Sequence, residues 1–127
     1  MSHVLLVDDD PDSLMIVEMI LSRADFEVTK AISGEQALAA VATFPYPDLV
    51  LLDVMLPDMD GYDVCRHIRA NYPNLPIVFF TARTEGAAIN AARAAGATGY
   101  LAKPASAAKL VASIRQHLPS EHMRRYT

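Results

Sequence analysis

The stretch HVLLVDDDPDS, residues 3–13, is the most informative about the fold, because an apolar run passes directly into three carboxylates. Residues 4–7 are continuously apolar, which is typical of a strand buried on both faces of a parallel sheet. Asp8, Asp9 and Asp10 then place three negative charges at the end of this strand. Clustered carboxylates repel one another unless a positive charge compensates them, so the stretch predicts a charged site at one edge of the sheet.

Apolar runs of the same kind recur along the chain and alternate with helical periodicity. The predicted strands cover residues 4–7, 28–32 (the weakest), 49–52, 77–80 and 100–102. The first and last of the intervening helices are defined by apolar residues at helical spacing, namely Leu14, Val17, Leu21, Leu110, Ile114 and Leu118. This alternation predicts an α/β fold of the (βα)5 type, a doubly wound five-stranded parallel sheet with helices on both faces.

The three middle helices carry weaker signals. Residues 34–44 are rich in Ala and Leu, and the prolines that follow end this helix. The third helix is expected to bury one face formed by Cys65, Ile68 and Tyr72. Residues 85–95 are nearly all alanine, so the fourth helix has high helix propensity but little apolar bulk, and we expect it to be the loosest.

Composition narrows the class of protein. The chain has 127 residues, a formal net charge of −4 and a pI near 5.4. This argues against direct nucleic-acid binding, because phosphate contacts need a basic face. Residues 1–120 are predicted to form one domain, and residues 121–127 a short tail without an output domain. The single cysteine excludes an internal disulfide and no apolar run reaches the length of a membrane span, so we expect a cytoplasmic protein.

Polar residues also follow the other predicted strands. Asp53 follows the third strand, Thr81 the fourth and Lys103 the fifth. Open parallel sheets bind ligands at the carboxyl ends of their strands, so these side chains and the acidic run are predicted to converge on one site. Mg²⁺ prefers one or two carboxylates together with waters and phosphate oxygens, and a lysine or a hydroxyl can also hold phosphate oxygens. The set predicts a receptor for a phosphoryl group, in which Asp53 is the natural nucleophile.

Four segments resemble the receiver domain of two-component response regulators, namely VLLVDDDP, PDLVLLDVMLPDMDGYDVCRHIR, PIVFFTA and GATGYLAKP. Each motif is weak alone, but their order and spacing over residues 3–118 make the resemblance specific. It implies a flavodoxin-like strand order of 2-1-3-4-5, Mg²⁺ as cofactor, and a histidine kinase or histidine phosphotransfer protein as phosphoryl donor. Such a domain catalyses only its own phosphorylation and slow autodephosphorylation, and a downstream protein or a linked output domain reads its change of shape.

The resemblance also assigns the phosphoacceptor and the metal ligands. Asp53 would accept the phosphoryl group. The metal would be held by the carboxylates of Asp9 and Asp53, by the backbone carbonyl of Met55, and by Asp8 directly or through water. The Lys103–Pro104 peptide bond would be cis.

Further residues are implied to switch the output. Lys103 would pair with the phosphoryl group, and the Thr81 hydroxyl would be captured by it. The Tyr100 ring would then rotate and alter the face formed by the fourth helix, the fifth strand and the fifth helix. Met55 and Arg83 occupy positions that are thought to set the rate of phosphoryl loss. The acids that often precede the tyrosine in receivers that dimerise through charged pairs are absent from ATGYLAKP, which argues against such a dimer.

Three other functions compete with this interpretation. A Mg²⁺-dependent phosphatase of the dehalogenase type would need a second acid two residues after the nucleophile, where this chain has Met55. A flavodoxin-like cofactor binder would need a phosphate loop rich in Ser, Thr and Gly after the first strand, where this chain has carboxylates. A constitutive interaction module would not need the full set of acids, hydroxyl and lysine that is present here.

The remaining polar residues are assigned structural roles. Asp10 is expected to cap the first helix. Asp58, Asp60 and Asp63 are expected to favour the N-terminal dipole of the third helix. The four histidines lack the spacing of metal ligands, and Cys65 is expected to be buried as a small apolar side chain.

Overall fold

The computed structural model describes residues 1–119 and confirms the predicted (βα)5 architecture. Its strands are β1 (His3–Val7), β2 (Glu27–Ala31), β3 (Leu49–Leu52), β4 (Ile77–Thr81) and β5 (Gly99–Ala102). Its helices are α1 (Pro11–Arg23), α2 (Gly34–Val41), α3 (Gly61–Asn71), α4 (Gly86–Ala94) and α5 (Ala107–His117). Neighbouring strands are parallel, and their order is β2-β1-β3-β4-β5, as expected. The predicted tail at residues 121–127 lies outside the described residues.

The sheet is buried at its centre and more exposed at its edges. Every residue of β1, β3 and β4 is buried, which accounts for their uninterrupted apolar runs. The edge strand β2 buries only Ala31, so its weak apolar pattern reflects its position rather than an uncertain strand. No helix within residues 1–119 is long and apolar enough to cross a membrane.

Alternate residues of the central strands enter two separate cores. Leu5 and Val7 of β1 pack with residues of α2, α3 and α4 on one face of the sheet. Val4 and Leu6 pack with α1 and α5 on the other face. Because side chains alternate along a strand, helices on both faces require the same strand to be apolar at every position.

Polar side chains cap four of the described helices. The N-cap residues of α1, α2, α3 and α5 each accept a hydrogen bond from a backbone N–H of the first turn, and they are Asp10, Ser33, Asp60 and Ser106. Helix α4 differs, because its N-cap residue Glu85 makes no such bond and the helix buries only Ala88 and Ala92. These features agree with the weak anchoring that its alanine-rich sequence suggested, although the looseness itself stays a prediction.

Helix α4 is instead held from α3 by three side-chain donors at helical spacing. The Tyr62 hydroxyl donates to the Ala88 carbonyl at 3.4 Å, and the buried Cys65 thiol donates to the Ala95 carbonyl at 3.4 Å. The guanidinium of Arg69 donates to the Gly96 carbonyl at 3.0 Å. Burial raises the pKa of the Cys65 thiol, which keeps it protonated and able to donate.

Two local predictions about the helices are wrong. Tyr72 does not belong to the buried face of α3, because the helix ends at Asn71 and the residue is 36% exposed. Val64 is buried there instead, beside Cys65 and Ile68. Helix α2 ends at Val41, short of the predicted end at residue 44, and the residues that follow form a turn.

Candidate functional site

The site lies where the carboxyl ends of β1, β3, β4 and β5 meet. Asp8 and Asp53 follow β1 and β3, and their backbone N–H groups donate to Ala31 at 3.1 Å and to Val7 at 3.0 Å. These bonds extend the ladders of the sheet by one residue, so each acid starts from a fixed backbone. The Lys103 N–H likewise donates to the carbonyl of Thr81, the last residue of β4, at 2.9 Å.

The side chain of Lys103 joins the two acids. Its Nζ lies 2.6 Å from Asp8 Oδ2 and 3.0 Å from Asp53 Oδ2. It also lies 3.4 Å from Ser13 Oγ of α1 and 5.3 Å from the centre of the Phe80 ring. One ammonium group therefore bridges carboxylates that come from two different strands.

The environment keeps this lysine charged. Burial alone would lower the pKa of Lys103, but the hydrogen bonds that it donates to Asp8 and Asp53 outweigh burial and raise the pKa above its ordinary value. The Asp8 side chain is only 5% exposed and the Asp53 side chain 16%. A single ammonium group cannot neutralise two carboxylates, so the pair still favours a further cation.

The other oxygen of each acid is held by the backbone. Asp8 Oδ1 accepts from the N–H of Asp10 at 3.0 Å, and Asp53 Oδ1 accepts from the N–H of Val54 at 2.7 Å. These bonds fix the orientation of both carboxylates. Lys103 and the backbone together hold the two acids in one arrangement.

The donor set fits Mg²⁺ in composition. Within residues 1–119 no three acid, histidine or cysteine side chains are grouped as a metal cluster, so Asp9 does not join Asp8 and Asp53 in one. Mg²⁺ does not require such a cluster, because it keeps several waters and takes one or two carboxylates. Met55, the fourth predicted ligand, lies in the loop after β3, where it pairs with Asp60 in an isolated bridge.

Close approach of this loop to the site depends on Gly61, the first residue of α3. A Cβ atom at Gly61 would lie 2.2 Å from the Asp53 carbonyl oxygen. The Gly61 N–H donates to the Val54 carbonyl at 2.6 Å. The glycine therefore lets the start of α3 lie directly against the backbone of Asp53.

Thr81 lies at the site but is connected to Tyr100 rather than to the acids. Its hydroxyl accepts from the N–H of Arg83 at 3.3 Å, and within residues 1–119 it makes no hydrogen bond to Asp53 or to the Lys103 ammonium. The Tyr100 hydroxyl donates to the carbonyl of the same Arg83. The backbone of one residue thus links the two predicted switch residues.

Packing holds the Tyr100 ring. It stacks on Phe79 with ring centres 6.2 Å apart, and Phe79 contacts Tyr62 at 5.6 Å. Burial raises the pKa of Tyr100, so the hydroxyl stays protonated and can donate to Arg83.

Other acids of the sequence have structural roles. Asp10 caps α1, which confirms the prediction for that residue, and Asp60 lies at the N-terminus of α3, as expected, where it is the N-cap. Asp58 differs, because its carboxylate accepts from the N–H groups of Gly34 at 2.8 Å and Glu35 at 2.9 Å and thus caps α2, not α3. These backbone bonds lower the pKa of Asp58.

Two contacts at the site were not predicted from the sequence. Ser13 reaches Lys103 from α1, 90 positions away in the chain. The serine occupies an ordinary helical position, so no local pattern distinguishes it. The Gly61 contact could have been found from the glycine directly after the N-cap Asp60, because a glycine at a helix start suggests close backbone approach.

The chain matches a known family. Residues 4–115 match the model described as the response regulator receiver domain. The chain is 42% identical over 116 residues to the DNA-binding response regulator MtrA of Mycolicibacterium smegmatis, covering 91% of this chain and 50% of the relative. It is 39% identical to the transcriptional regulatory protein AfsQ1 of Streptomyces coelicolor, again over 91% of this chain and 50% of the relative. The chain therefore spans about half the length of these curated relatives.

Solved structures share the fold over nearly their full length. The BeF3-activated N-terminal receiver domain of Klebsiella pneumoniae RstA is 33% identical, with a TM-score of 0.88 and coverage of 94% of this chain and 100% of that one. The chemotaxis protein CheY4 of Vibrio cholerae is 32% identical, with a TM-score of 0.88 and coverage of 93% and 99%.

Proposed function

Because this chain belongs to the response regulator receiver domain family, we propose that it receives a phosphoryl group on Asp53 and relays the event as a change of shape. The donor is the phosphohistidine of a histidine kinase or of a histidine phosphotransfer protein. The recipient of the signal is a downstream protein or a linked output domain. The proposed setting is the cytoplasm, without direct contact of this domain to nucleic acid or membrane.

The observation that carries this proposal is the bridge from Lys103 to Asp8 and Asp53. It holds one acid as a fixed nucleophile beside a second acid and a permanent cation. A phosphoryl group in transfer carries negative charge on its oxygens, and catalysis consists mainly of orienting it and stabilising that charge. Lys103 supplies one of the positive charges that this requires.

The transfer step is a displacement at phosphorus. A carboxylate oxygen of Asp53 forms the new bond to phosphorus, while the bond between phosphorus and the histidine nitrogen of the donor breaks. The electron pair of that bond returns to the imidazole, and Asp53 becomes an acyl phosphate. Hydrolysis of the acyl phosphate by water later restores the carboxylate, so the domain turns over only its own modification.

Mg²⁺ would be held by Asp8, Asp53 and the carbonyl of Met55, and by Asp9 once its side chain, which is not grouped with the other two acids here, turns toward them. When bound, it would supply the positive charge that Lys103 alone does not provide and would neutralise phosphoryl oxygens. Lys103 keeps Asp8 as a partner when its contact to Asp53 is exchanged for a phosphoryl oxygen. Asp8 therefore retains a positively charged neighbour both before and after Asp53 is phosphorylated.

The switch begins at Thr81. A phosphoryl oxygen on Asp53 is a stronger hydrogen-bond acceptor than any group at the unphosphorylated site, and the Thr81 hydroxyl can donate to it. This turns the hydroxyl away from the Arg83 N–H, whose carbonyl holds Tyr100. The loop after β4 and the Tyr100 ring then change position together, which alters the surface beside β5.

The test is intact mass spectrometry after incubation with acetyl phosphate, with and without Mg²⁺. We expect wild type to gain one phosphoryl group only when Mg²⁺ is present, and Asp53→Ala to gain none. Asp12→Ala, which removes an exposed acid from the first turn of α1, is the matched control and should behave as wild type. A folded wild-type protein that gains no mass would support the alternative, a constitutive interaction module.

A further inference from the structure

The loop between β3 and α3, residues 53–60, lies on the surface of the domain. Val54 is the one buried residue in this range. The two ends of the loop are joined by the bridge between Met55 and Asp60 and by the hydrogen bond from the Gly61 N–H to the Val54 carbonyl. These contacts close the loop on itself, so its position relative to the acids of β1 depends on contacts to other elements.

Asp58 connects this loop to the start of α2. Its two carboxylate oxygens accept from consecutive backbone N–H groups, from Gly34 at 2.8 Å and from Glu35 at 2.9 Å. Gly34 leaves no room for a side chain, because an added Cβ atom would overlap the side chain of Met59. The loop therefore lies directly against the first residues of α2.

Helix α2 also has a cap formed by its own neighbours. The N-cap residue Ser33 accepts from the Gln36 N–H at 3.1 Å, and the Gln36 side chain accepts from the Ile32 N–H at 3.0 Å. This reciprocal pair resembles a capping box, and the remaining N–H groups of a first turn can bond to water. The bonds from Asp58 come from 24 residues away, so they connect two parts of the chain in addition to capping the helix.

The same corner between β2 and α2 contacts the other side of the proposed metal site. The carbonyl of Ala31, the last residue of β2, accepts from the Asp8 N–H at 3.1 Å. Residues 31–35 thus contact Asp8 through a carbonyl and Asp58 through two N–H groups. This short segment sets the separation between Asp8 and the loop that carries Met55.

The effect of Asp58 on the site is indirect. Both of its oxygens accept from backbone N–H groups, and within residues 1–119 it belongs to no cluster of metal-binding side chains. The hydrogen bonds from Gly34 and Glu35 lower the pKa of Asp58, so the carboxylate stays ionised and keeps both contacts. Asp58 can hold the loop, but its oxygens are not directed at a metal.

We propose that Asp58 is a positioning residue, which fixes the loop after β3 relative to Asp8 and thereby sets the affinity of the site for Mg²⁺. This inference rests on the proposed function, in which Asp8, Asp53 and the Met55 carbonyl hold the ion. Mg²⁺ demands a near-ideal arrangement of its ligands, so a carbonyl on a loose loop has to be ordered when the ion binds. Asp58 orders the loop beforehand, which removes that cost from binding.

The test compares Asp58→Ala with the matched control Ser33→Ala in calorimetric titrations with MgCl₂. Both substitutions remove an acceptor from the first turn of α2, so both should lower the thermal unfolding midpoint. Only Asp58→Ala releases the loop. We expect its Kd for Mg²⁺ to rise about three- to tenfold, because ion binding then has to order the loop. The Kd of Ser33→Ala should stay within about twofold of wild type.

Asp58→Asn separates positioning from charge. It removes the same negative charge as Asp58→Ala but keeps a side-chain oxygen that can accept from Gly34 or Glu35. We expect its Kd for Mg²⁺ to lie between those of wild type and Asp58→Ala. Equal Kd values for the two variants would mean that Asp58 acts through its charge alone, which would overturn the positioning role.

Amide hydrogen exchange of the protein in EDTA tests the loop without the metal. Asp58→Ala should exchange faster than wild type over residues 54–60, whereas Ser33→Ala should leave exchange there unchanged. The proposal is wrong if Asp58→Ala exchanges at the wild-type rate over these residues, or if both variants accelerate exchange there equally.

Intact mass spectrometry with acetyl phosphate separates this inference from the proposed function. Asp58→Ala should need more Mg²⁺ than wild type for a half-maximal rate of phosphorylation, and saturating Mg²⁺ should restore most of the rate. Suppose that wild type binds Mg²⁺ and is phosphorylated, and that Asp58→Ala has an unchanged Kd. That result would refute the positioning role and leave the phosphoacceptor standing. A folded wild type that neither binds Mg²⁺ nor gains a phosphoryl group would refute both.

Discussion

Among single residues, Lys103 is the one that allows Asp8 and Asp53 to lie close together. The acidic run after β1 implied a compensating cation, and the structure provides one from a residue 95 positions along the chain. Its carboxylate partners are also held by backbone N–H groups, so the arrangement exists before any ligand arrives. Preorganisation of this kind lowers the cost of binding a charged group.

Replacing Lys103 by Met should therefore destabilise the fold. In EDTA at neutral pH we expect a loss of about 1–3 kcal/mol in the free energy of unfolding, because two partly buried acids lose their donor. The raised pKa of Lys103 means that its contribution is complete below the ordinary lysine pKa, about 10.4, and is lost as pH rises through the folded-state value.

Urea unfolding between neutral and strongly alkaline pH measures this difference. Wild type and Lys103→Met should have the same free energy of unfolding at the alkaline end of this range. Lys109→Met, on an exposed lysine without an ion pair, should match wild type throughout. Equal stability of Lys103→Met and wild type at neutral pH would contradict the conclusion that Lys103 compensates the charges of Asp8 and Asp53.

Gly61 offers a test of backbone packing at the site. Gly61→Ala places a methyl group 2.2 Å from the Asp53 carbonyl oxygen, a backbone atom that cannot rotate away. We expect a loss of about 1–3 kcal/mol and slower phosphorylation by acetyl phosphate, because Asp53 is displaced. Gly86→Ala is the matched control, since nothing lies within 4 Å of its added Cβ, and it should be neutral or slightly stabilising. Normal phosphorylation of Gly61→Ala would show that the close approach is unimportant.

Among the structural elements, α4 depends on α3 for its position. It lacks a side-chain cap and buries only alanines, whereas Tyr62, Cys65 and Arg69 donate to carbonyls at its two ends. Arg69 also donates to three carbonyls of the segment that follows α3, those of Tyr72, Pro73 and Leu75. The tightest of the contacts to α4 lies at its C-terminal end, so its N-terminal end, next to Arg83, is freer to move.

Arg69→Ala should release the C-terminal end of α4. We expect a loss of about 1–3 kcal/mol, because several carbonyls lose their donor, and faster amide hydrogen exchange in α4. Arg66→Ala, one turn earlier on the exposed side of α3, removes only a surface ion pair and should cost clearly less than Arg69→Ala. Equal effects of the two substitutions would contradict the anchoring role of Arg69.

For the whole molecule, the sequence was sufficient to predict the strands wherever burial on both faces of the sheet leaves a continuous apolar run. The central strands and the convergence of Asp8, Asp53 and Lys103 follow from that rule and from parallel topology. Contacts between elements that are distant in the chain could not be predicted from such local patterns. Asp58 caps α2 instead of the helix nearest to it, and Tyr72 caps α3 instead of packing beneath it, because tertiary neighbours decide both.

Divalent cation should stabilise the whole domain if Asp8 and Asp53 bind it only in the folded state. At a Mg²⁺ concentration about 100 times the Kd, the gain should be about 2.7 kcal/mol and should vanish on addition of EDTA. Thermal unfolding of wild type, Asp53→Ala and the control Asp12→Ala measures it. A gain that persists in Asp53→Ala would place the cation elsewhere.

The bridge from Lys103 to Asp8 joins residues near opposite ends of the domain. During synthesis, β1 and β3 leave the ribosome long before β5, so the two acids exist for a time without their lysine. If Asp53 is the acceptor, as proposed, a chain that ends before residue 103 would hold both acids without the cation that joins them, however well its early strands have paired. The proposed function therefore predicts that Asp53 becomes a competent phosphoacceptor only after β5 and Lys103 have joined the sheet.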